Sequence, residues 1–141
     1  MKDIYQAALL AHAKNPCGAG PVPRGTEDAE ALNAGCGDEI RVKLTWTPGG
    51  GLERLVYEIH GCAVSTAAAS MAARRLEGKT PDEIAATAAA FAARLGRSGF
   101  EEAWGDFRAF NGIEAYPARI HCALLVWQAL EKALARKRNA P

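Results

Sequence analysis

The stretch Glu39-Ile40-Arg41-Val42-Lys43-Leu44-Thr45-Trp46, the turn Pro48-Gly49-Gly50-Gly51 and the run Leu52 to His60 decide the fold class. In the first run Ile40, Val42, Leu44 and Trp46 alternate with Arg41, Lys43 and Thr45. A period of two is the mark of a strand with one buried face. Proline and three glycines then supply a turn. The second run alternates less cleanly, with Leu52, Val56 and His60 in one phase and Leu55, Tyr57 and Ile59 in the other. The two runs read as an antiparallel hairpin with one packed face. A lone hairpin is marginal in water, so helices must cover that face.

Working outward, helical periodicity appears on both sides. Ala63 to Glu77 carries a tight apolar stripe of Val64, Ala67, Ala68, Met71 and Ala72, ended by Gly78. Small side chains permit close approach, so this helix is expected to be central. Thr80-Pro81-Asp82-Glu83 is a capping box with proline at the first helical position. The helix it opens presents Ile84, Ala88, Phe91 and Leu95 and stops at Gly96. A short helix is expected around Glu101 to Trp104. Ala118 to Arg136 forms the last helix, with Ile120, Leu124, Trp127, Leu130 and Leu134 in line and Pro117 at its entrance. Upstream of the hairpin, Asp3 to Ala13 reads as a helix with Ile4, Tyr5, Ala8, Leu9 and His12 on one face, halted by Asn15-Pro16. Cys17 to Gly35 is rich in glycine and proline without periodicity, and reads as an extended loop with freedom to move. The expected class is α+β, a small antiparallel β-sheet with helices packed on one face.

Composition bounds what this fold does. The 141 residues suit one domain spanning 1–141, with no repeat or internal boundary. Net charge is +1, so nothing favours nucleic acid or an anionic membrane as partner. The basic run Arg136-Lys137-Arg138 suits the negative end of the last helix. No segment is apolar for long enough to span a bilayer, and the N-terminus lacks the pattern of a signal peptide. The expected location is the cytoplasm, where thiols stay reduced. The four cysteines are then buried hydrophobes, metal ligands or reactive thiols.

Three of them have distinctive settings. Cys36 lies between Gly35 and Gly37, with Asp38 two residues on. The triplet offers a thiolate and a carboxylate to one ion, or is a turn cysteine followed by a strand aspartate. Cys62 follows Gly61 where the second run meets the alanine-rich helix. A helix N-terminus favours a thiolate there, and a small buried residue at a strand–helix junction is the plain alternative. Cys122 lies early in the last helix beside His121. Adjacent helical residues diverge by about 100 degrees. His121 is therefore a competing ligand, a proton donor or a polar neighbour. There is no Cys-x-x-Cys, which removes zinc-ribbon and thioredoxin-like readings. Three thiolates and a carboxylate suit tetrahedral Zn²⁺, and the same thiolates suit an iron–sulfur cluster. The carboxylate is the harder donor and the one to yield to incoming sulfur.

The motifs His12-Ala13-Lys14-Asn15-Pro16, Cys36-Gly37-Asp38, Gly61-Cys62-Ala63-Val64-Ser65-Thr66-Ala67 and Pro117-Ala118-Arg119-Ile120-His121-Cys122-Ala123 stand in an ordered series. In that order the chain resembles the IscU/NifU-type iron–sulfur cluster assembly proteins over nearly its whole length. The resemblance implies a SufE/NifU-like fold and a site built from Cys36, Asp38, Cys62 and Cys122, with His121 as an alternative ligand. It implies Zn²⁺ in the purified protein and a [2Fe–2S] cluster or iron as the other occupant. It implies a role as scaffold or sulfur acceptor rather than an enzyme acting alone, with zinc-dependent sulfur transfer in company with a desulfurase. The implied partners are a cysteine desulfurase of the SufS/IscS type, which supplies persulfide sulfur, and downstream iron–sulfur acceptor or carrier proteins. Cys122 is the expected persulfide acceptor, with Arg119 supporting it.

Trp104-Gly105-Asp106 and Arg119 are similar to the SufU branch, whereas His121 matches the IscU branch. The IscU chaperone motif is replaced by Ala115-Tyr116-Pro117-Ala118-Arg119, and the early Asn-Pro-Arg-Asn motif by Asn15-Pro16-Cys17-Gly18. Cys17 has no counterpart in the family. The competing expectation is a structural zinc-binding interaction module that transfers no sulfur.

Overall fold

The computed structural model describes residues 6–139. The expected hairpin is present as β2 (Asp38–Trp46) and β3 (Leu52–His60), paired antiparallel. Ile40 faces Ile59, Val42 faces Tyr57 and Leu44 faces Leu55, so the larger apolar side chains share one face. On the other face Arg41 lies opposite Glu58 and pairs with it at 3.0 Å. The register slips near the turn: Thr45 pairs with Arg54 but Trp46 with Leu52. Glu53 is the extra residue of a bulge, and each bulge shifts the inside–outside phase by one. That is why Leu52 and Leu55 are both buried despite their opposite parity.

The loop expected over Cys17 to Gly35 is corrected. It contains a third strand, β1 (Ala29–Asn33), paired antiparallel with β2, so the sheet order is β1-β2-β3. Its inward residues are only Ala29 and Ala31, while Leu32 points out and is 63% exposed, so hydrophobic alternation was faint. The earlier part of the segment is held as well. Gly20 N–H donates to Tyr57 O at 2.9 Å and Tyr57 N–H to Gly18 O at 3.1 Å. Gly18 has φ +85°, and a Cβ there would stand 2.6 Å from Leu55 O, so the tight contact needs glycine.

Helices cover the inner face. α1 (Ala7–Lys14) buries Leu9 and His12; the expected earlier turn with Asp3, Ile4 and Tyr5 lies outside the described residues. α2 (Ala63–Arg75) is buried on most sides, as its small residues allow. α3 (Pro81–Arg94) begins with the expected capping box: Glu83 N–H donates to Thr80 Oγ1 at 3.2 Å, and Thr80 N–H to Glu83 Oε1 at 3.0 Å. The short helix expected near Glu101 is a 3₁₀ stretch, Glu102–Phe110, broken at Gly105 with φ 58°. A second 3₁₀ turn, Ile113–Ala115, leads into α4 (Pro117–Arg138).

α4 packs across β1 and β2 and against α2 and α3. Of the expected stripe Trp127, Leu130 and Leu134 are buried, but the buried face is broader and turned at its N-terminal end. Ile120 and Leu124 are only partly buried, whereas Cys122, Leu125, Val126, Ala129 and Ala133 are buried. These positions recur at three- and four-residue steps, which puts Cys122 on the core-facing stripe. Behind it Trp127 stacks on Phe91 with centroids 5.0 Å apart.

Candidate metal centre

The start of β2, the end of β3 and the start of α4 meet at one end of the sheet, and each delivers part of a donor set. Cys36 lies in the turn between β1 and β2. Its N–H and that of Gly37 both donate to Asn33 O, at 3.3 and 2.8 Å. Gly37 has φ +74°, which reverses the chain into Asp38. The Cys36 thiol is exposed.

Asp38, the first residue of β2, is 5% exposed. Cys62 is the N-cap of α2, and its N–H donates to Asp38 Oδ2 at 3.4 Å. A β2 carboxylate therefore sits at the positive end of α2. Cys122 is fully buried on α4. Its sulfur is 3.5 Å from that of Cys36 and 3.9 Å from Asn33 Nδ2.

Donor atoms of Cys36, Asp38 and Cys122 all lie within 4.8 Å of one another. Cys62 falls outside that tight set. Its sulfur is 3.7 Å from Ser65 Oγ, yet it remains close enough to Cys122 to perturb it. His121 is exposed and also outside the set. Arg119, half-buried, lies in the first turn of α4 with its N–H on Tyr116 O at 2.8 Å. Cys17 is exposed on a different part of the surface groove lined by His12, Arg74 and Asp106.

The electrostatics are those of a site prepared for a cation. Burial pushes the Asp38 carboxyl up, but hydrogen bonds from Ser65, the Cys62 N–H and the Cys122 and Cys36 thiols outweigh it and hold the group below its ordinary value. Burial pushes the Cys122 thiol well above its ordinary value, helped by the bond to Cys36 and by the neighbouring Cys62 and Asp38. Without a metal, then, Asp38 is an anion and Cys122 a thiol. The donor chemistry fits zinc: sulfurs bonded at 2.3 Å in a tetrahedron stand ~3.8 Å apart, close to the observed Cys36–Cys122 separation.

Accessibility differs sharply among the site's thiols. Cys122, the expected persulfide acceptor, lies on the core face of α4, and Cys36 is the exposed thiol. Three further residues went unnoticed. Asn33 organises the Cys36 turn, with Gly35 N–H on its Oδ1 at 3.2 Å, and points its amide at Cys122. Ser65 reaches Asp38. Gly61 makes room, because a Cβ there would overlap Ser65 Oγ and stand 3.1 Å from the Asp38 carboxylate. The only signal for the last two was their presence in the Gly61–Ala67 motif.

The sequence pattern of the NifU-like N-terminal domain matches residues 4–139. The chain belongs to that family. The Bacillus subtilis zinc-dependent sulfurtransferase SufU is 32% identical over 139 residues, 97% of this chain and 93% of that protein. The Thermotoga maritima iron–sulfur cluster assembly scaffold protein IscU is 30% identical over 134 residues, 94% of each chain. Among solved structures, the NifU-like N-terminal protein of Brucella abortus superposes with a TM-score of 0.79 at 25% identity, covering 98% of this chain and 96% of that one. A putative SUF-system scaffold from Fervidobacterium islandicum gives 0.75 at 30% identity, covering 93% and 96%. The three-stranded sheet with its covering helices is thus the NifU-like architecture. Among the described residues, no helix of this NifU-like chain is long and apolar enough to cross a membrane.

Proposed function

We propose that this NifU-like protein is an iron–sulfur cluster assembly factor that takes persulfide sulfur from a cysteine desulfurase at a Cys36–Asp38–Cys62–Cys122 metal site. The observation that carries this reading is the convergence of two thiols and an ionised carboxylate from three elements, with the third thiol adjoining them. Bound zinc supplies a Lewis acid that holds the cysteines as thiolates at neutral pH.

The chain's own residues then have separate tasks. Cys36, exposed and flanked by glycines, is the thiol an incoming persulfide meets. Its thiolate attacks the outer sulfur of the desulfurase persulfide. A new S–S bond forms at Cys36, the old one breaks, and the desulfurase cysteine leaves as a thiolate. Cys122, 3.5 Å further in, is the acceptor reached by exchange from Cys36. Asp38 would be the hard ligand of a bound ion, and the donor most easily displaced by sulfur. Arg119, three positions before Cys122 on α4, supports the developing anion. The delivered sulfur goes on to a downstream iron–sulfur carrier or is built with iron into a [2Fe–2S] cluster on the same thiolates, iron and cluster being cargo. A cytoplasmic location and a single functional domain complete the reading.

A second reading has its own support. The site ties the β1–β2 turn, β2, α2 and α4 together through the Cys62–Asp38 and Cys36–Cys122 contacts, so an ion there would also brace the fold. Anaerobic purification followed by metal and acid-labile sulfide analysis separates the outcomes. Zinc without sulfide, together with activation of a desulfurase, supports the sulfur acceptor. Iron with equimolar sulfide supports the scaffold. Metal whose removal unfolds the chain, with no effect on a desulfurase, supports the brace.

A further inference from the structure

We propose that Asn33 is a positioning residue for the passage of sulfur between Cys36 and Cys122, its side chain fastening the exposed turn that carries Cys36 to the buried sulfur on α4. This role rests on the sulfur-acceptor reading above and belongs to a residue outside the donor set.

The turn has little of its own to hold it. Ala34, Gly35, Cys36 and Gly37 are all exposed, and the two glycines carry the largest backbone entropy of any residue. Its backbone hydrogen bonds lead to one place. Gly35 N–H donates to Asn33 Oδ1 at 3.2 Å, and the Cys36 and Gly37 N–H groups donate to Asn33 O at 3.3 and 2.8 Å. Asn33 is half-buried, ends β1 and lies opposite Asp38 in the β1–β2 register, so it stands beside the donor set. A backbone N–H can only donate, so Gly35 fixes the oxygen end of the amide. The NH2 end is left for the other neighbour, the Cys122 sulfur, at 3.9 Å. That contact is long. Its importance lies in what it joins: one amide holds the Cys36 turn with its oxygen and meets Cys122 with its nitrogen.

Exchange between the two thiols depends on that join. The Cys122 thiolate attacks the outer sulfur of a Cys36 persulfide, an S–S bond forms at Cys122, the bond at Cys36 breaks, and Cys36 leaves as a thiolate. One sulfur atom moves and no oxidant or reductant is consumed. Such a step needs reacting atoms about 3–3.5 Å apart and aligned, and a misplacement of ~1 Å costs on the order of 10²-fold. The Cys36 and Cys122 sulfurs are 3.5 Å apart, so a sulfur atom carried by one is within reach of the other. Cys122 is fixed in the core, and the turn is therefore the partner that has to be held. First delivery to Cys36 makes no such demand, because an exposed thiol is met by a persulfide from outside.

The test follows sulfur on the full zinc-loaded chain after mixing with a cysteine desulfurase and cysteine, with alkylation at successive times and peptide mapping by mass spectrometry. Asn33→Ala removes both ends of the amide. Asn33→Asp keeps an oxygen for Gly35 N–H but offers Cys122 a negative charge and no proton. Sulfur should appear on Cys36 at a rate within about twofold of the parent in both variants, while its appearance on Cys122 slows by on the order of 10²-fold in Asn33→Ala and by ~10-fold or more in Asn33→Asp. Thermal melts and zinc stoichiometry check that the variants fold and load. A second reading needs no persulfide. In metal-free protein the two thiols and oxidised glutathione exchange to a Cys36–Cys122 disulfide and two reduced glutathiones. The effective thiol concentration from that equilibrium should be ~10²-fold lower in Asn33→Ala. Parent-like rates on Cys122 in either variant, or equal effective concentrations, overturn the proposal. So do equal losses on Cys36 and Cys122, which a merely structural role would give. Sulfur on no cysteine of the parent overturns the sulfur-acceptor reading and this inference with it, whereas variants that pass sulfur to Cys122 as fast as a competent parent remove only the inference.

Discussion

Two corners of this molecule each place a buried serine of α2 in a cluster with an aspartate and a cysteine. At one, Ser65 meets Asp38, with Cys36 and Cys122 against the carboxylate. At the other, Ser70 Oγ lies 2.7 Å from His12 Nδ1, and His12 Nε2 lies 2.9 Å from Asp106 Oδ2. Ser70 Oγ also accepts the Cys17 N–H at 2.8 Å, and the Tyr57 hydroxyl donates to Cys17 O at 2.6 Å. This second network closes on itself. With Nε2 carrying the ring proton, His12 donates to Asp106, Ser70 donates to Nδ1, and each valence is used. It ties α1, α2, the 3₁₀ stretch and the chain at Cys17 together. The first corner does not close: the Cys36 and Cys122 sulfurs touch each other and the Asp38 carboxylate, and their other contacts, with Asn33 and Ala118, are long, as is that of Cys62 with Ser65. Similar residue types thus make a latch of short hydrogen bonds around His12 and Ser70, and a ligand site where soft donors face one another.

The largest separation between the corners should appear in metal binding. Cys36→Ser or Cys122→Ser should weaken zinc by more than the ~10–100-fold of an outer-shell change, while Cys17→Ser keeps the parent stoichiometry. Metal analysis after dialysis reads both. Loss of zinc in Cys17→Ser would break the comparison.

Stability should separate them the other way. His12→Ala removes the partner of buried Ser70 and should cost about 1–3 kcal/mol in urea denaturation, with zinc stoichiometry unchanged. Asp106→Ala should cost less, about 1 kcal/mol or below, because its side chain is 58% exposed.

A smaller effect follows from pH. The metal-free fold raises the Cys122 pKa, so the folded state holds that proton more tightly than the unfolded chain does. Its contribution to stability is complete below the ordinary thiol range, about 8.5, and declines as pH rises through and above it. The melting temperature of metal-free protein should therefore fall between pH 7.5 and 9.5. Zinc affinity should rise over the same interval, because binding expels the proton. Cys122→Ser should flatten the metal-free trend; Cys17→Ser should not.

What was legible in the sequence divides along the same physical lines. The β2–β3 hairpin and the capped start of α3 could be read because their signals are local: alternation of large side chains, and Thr80 three residues before Glu83. β1 could not, because Ala29 and Ala31 bury too little to mark a strand and Leu32 points outward. The later part of the α4 stripe, Trp127, Leu130 and Leu134, is buried as read, but its first two positions are not, for a related reason. Ile120 and Leu124 are bulkier than Ala129 and Ala133, yet the close approach of α4 to the sheet selects the small residues and takes Cys122 inward with them. Asp38 and the thiols were visible as residue types in telling neighbourhoods. Ser65 and Asn33 were not, since their roles exist only once residues from separate elements meet.

The central claim is that sulfur enters at the open corner. Peptide mapping by mass spectrometry, after incubating the zinc-loaded protein with a cysteine desulfurase and cysteine, tests it most directly. The account predicts the added sulfur atom on Cys36 and Cys122 and none on Cys17. Sulfur on Cys17 alone, or on no cysteine of the chain, would contradict it.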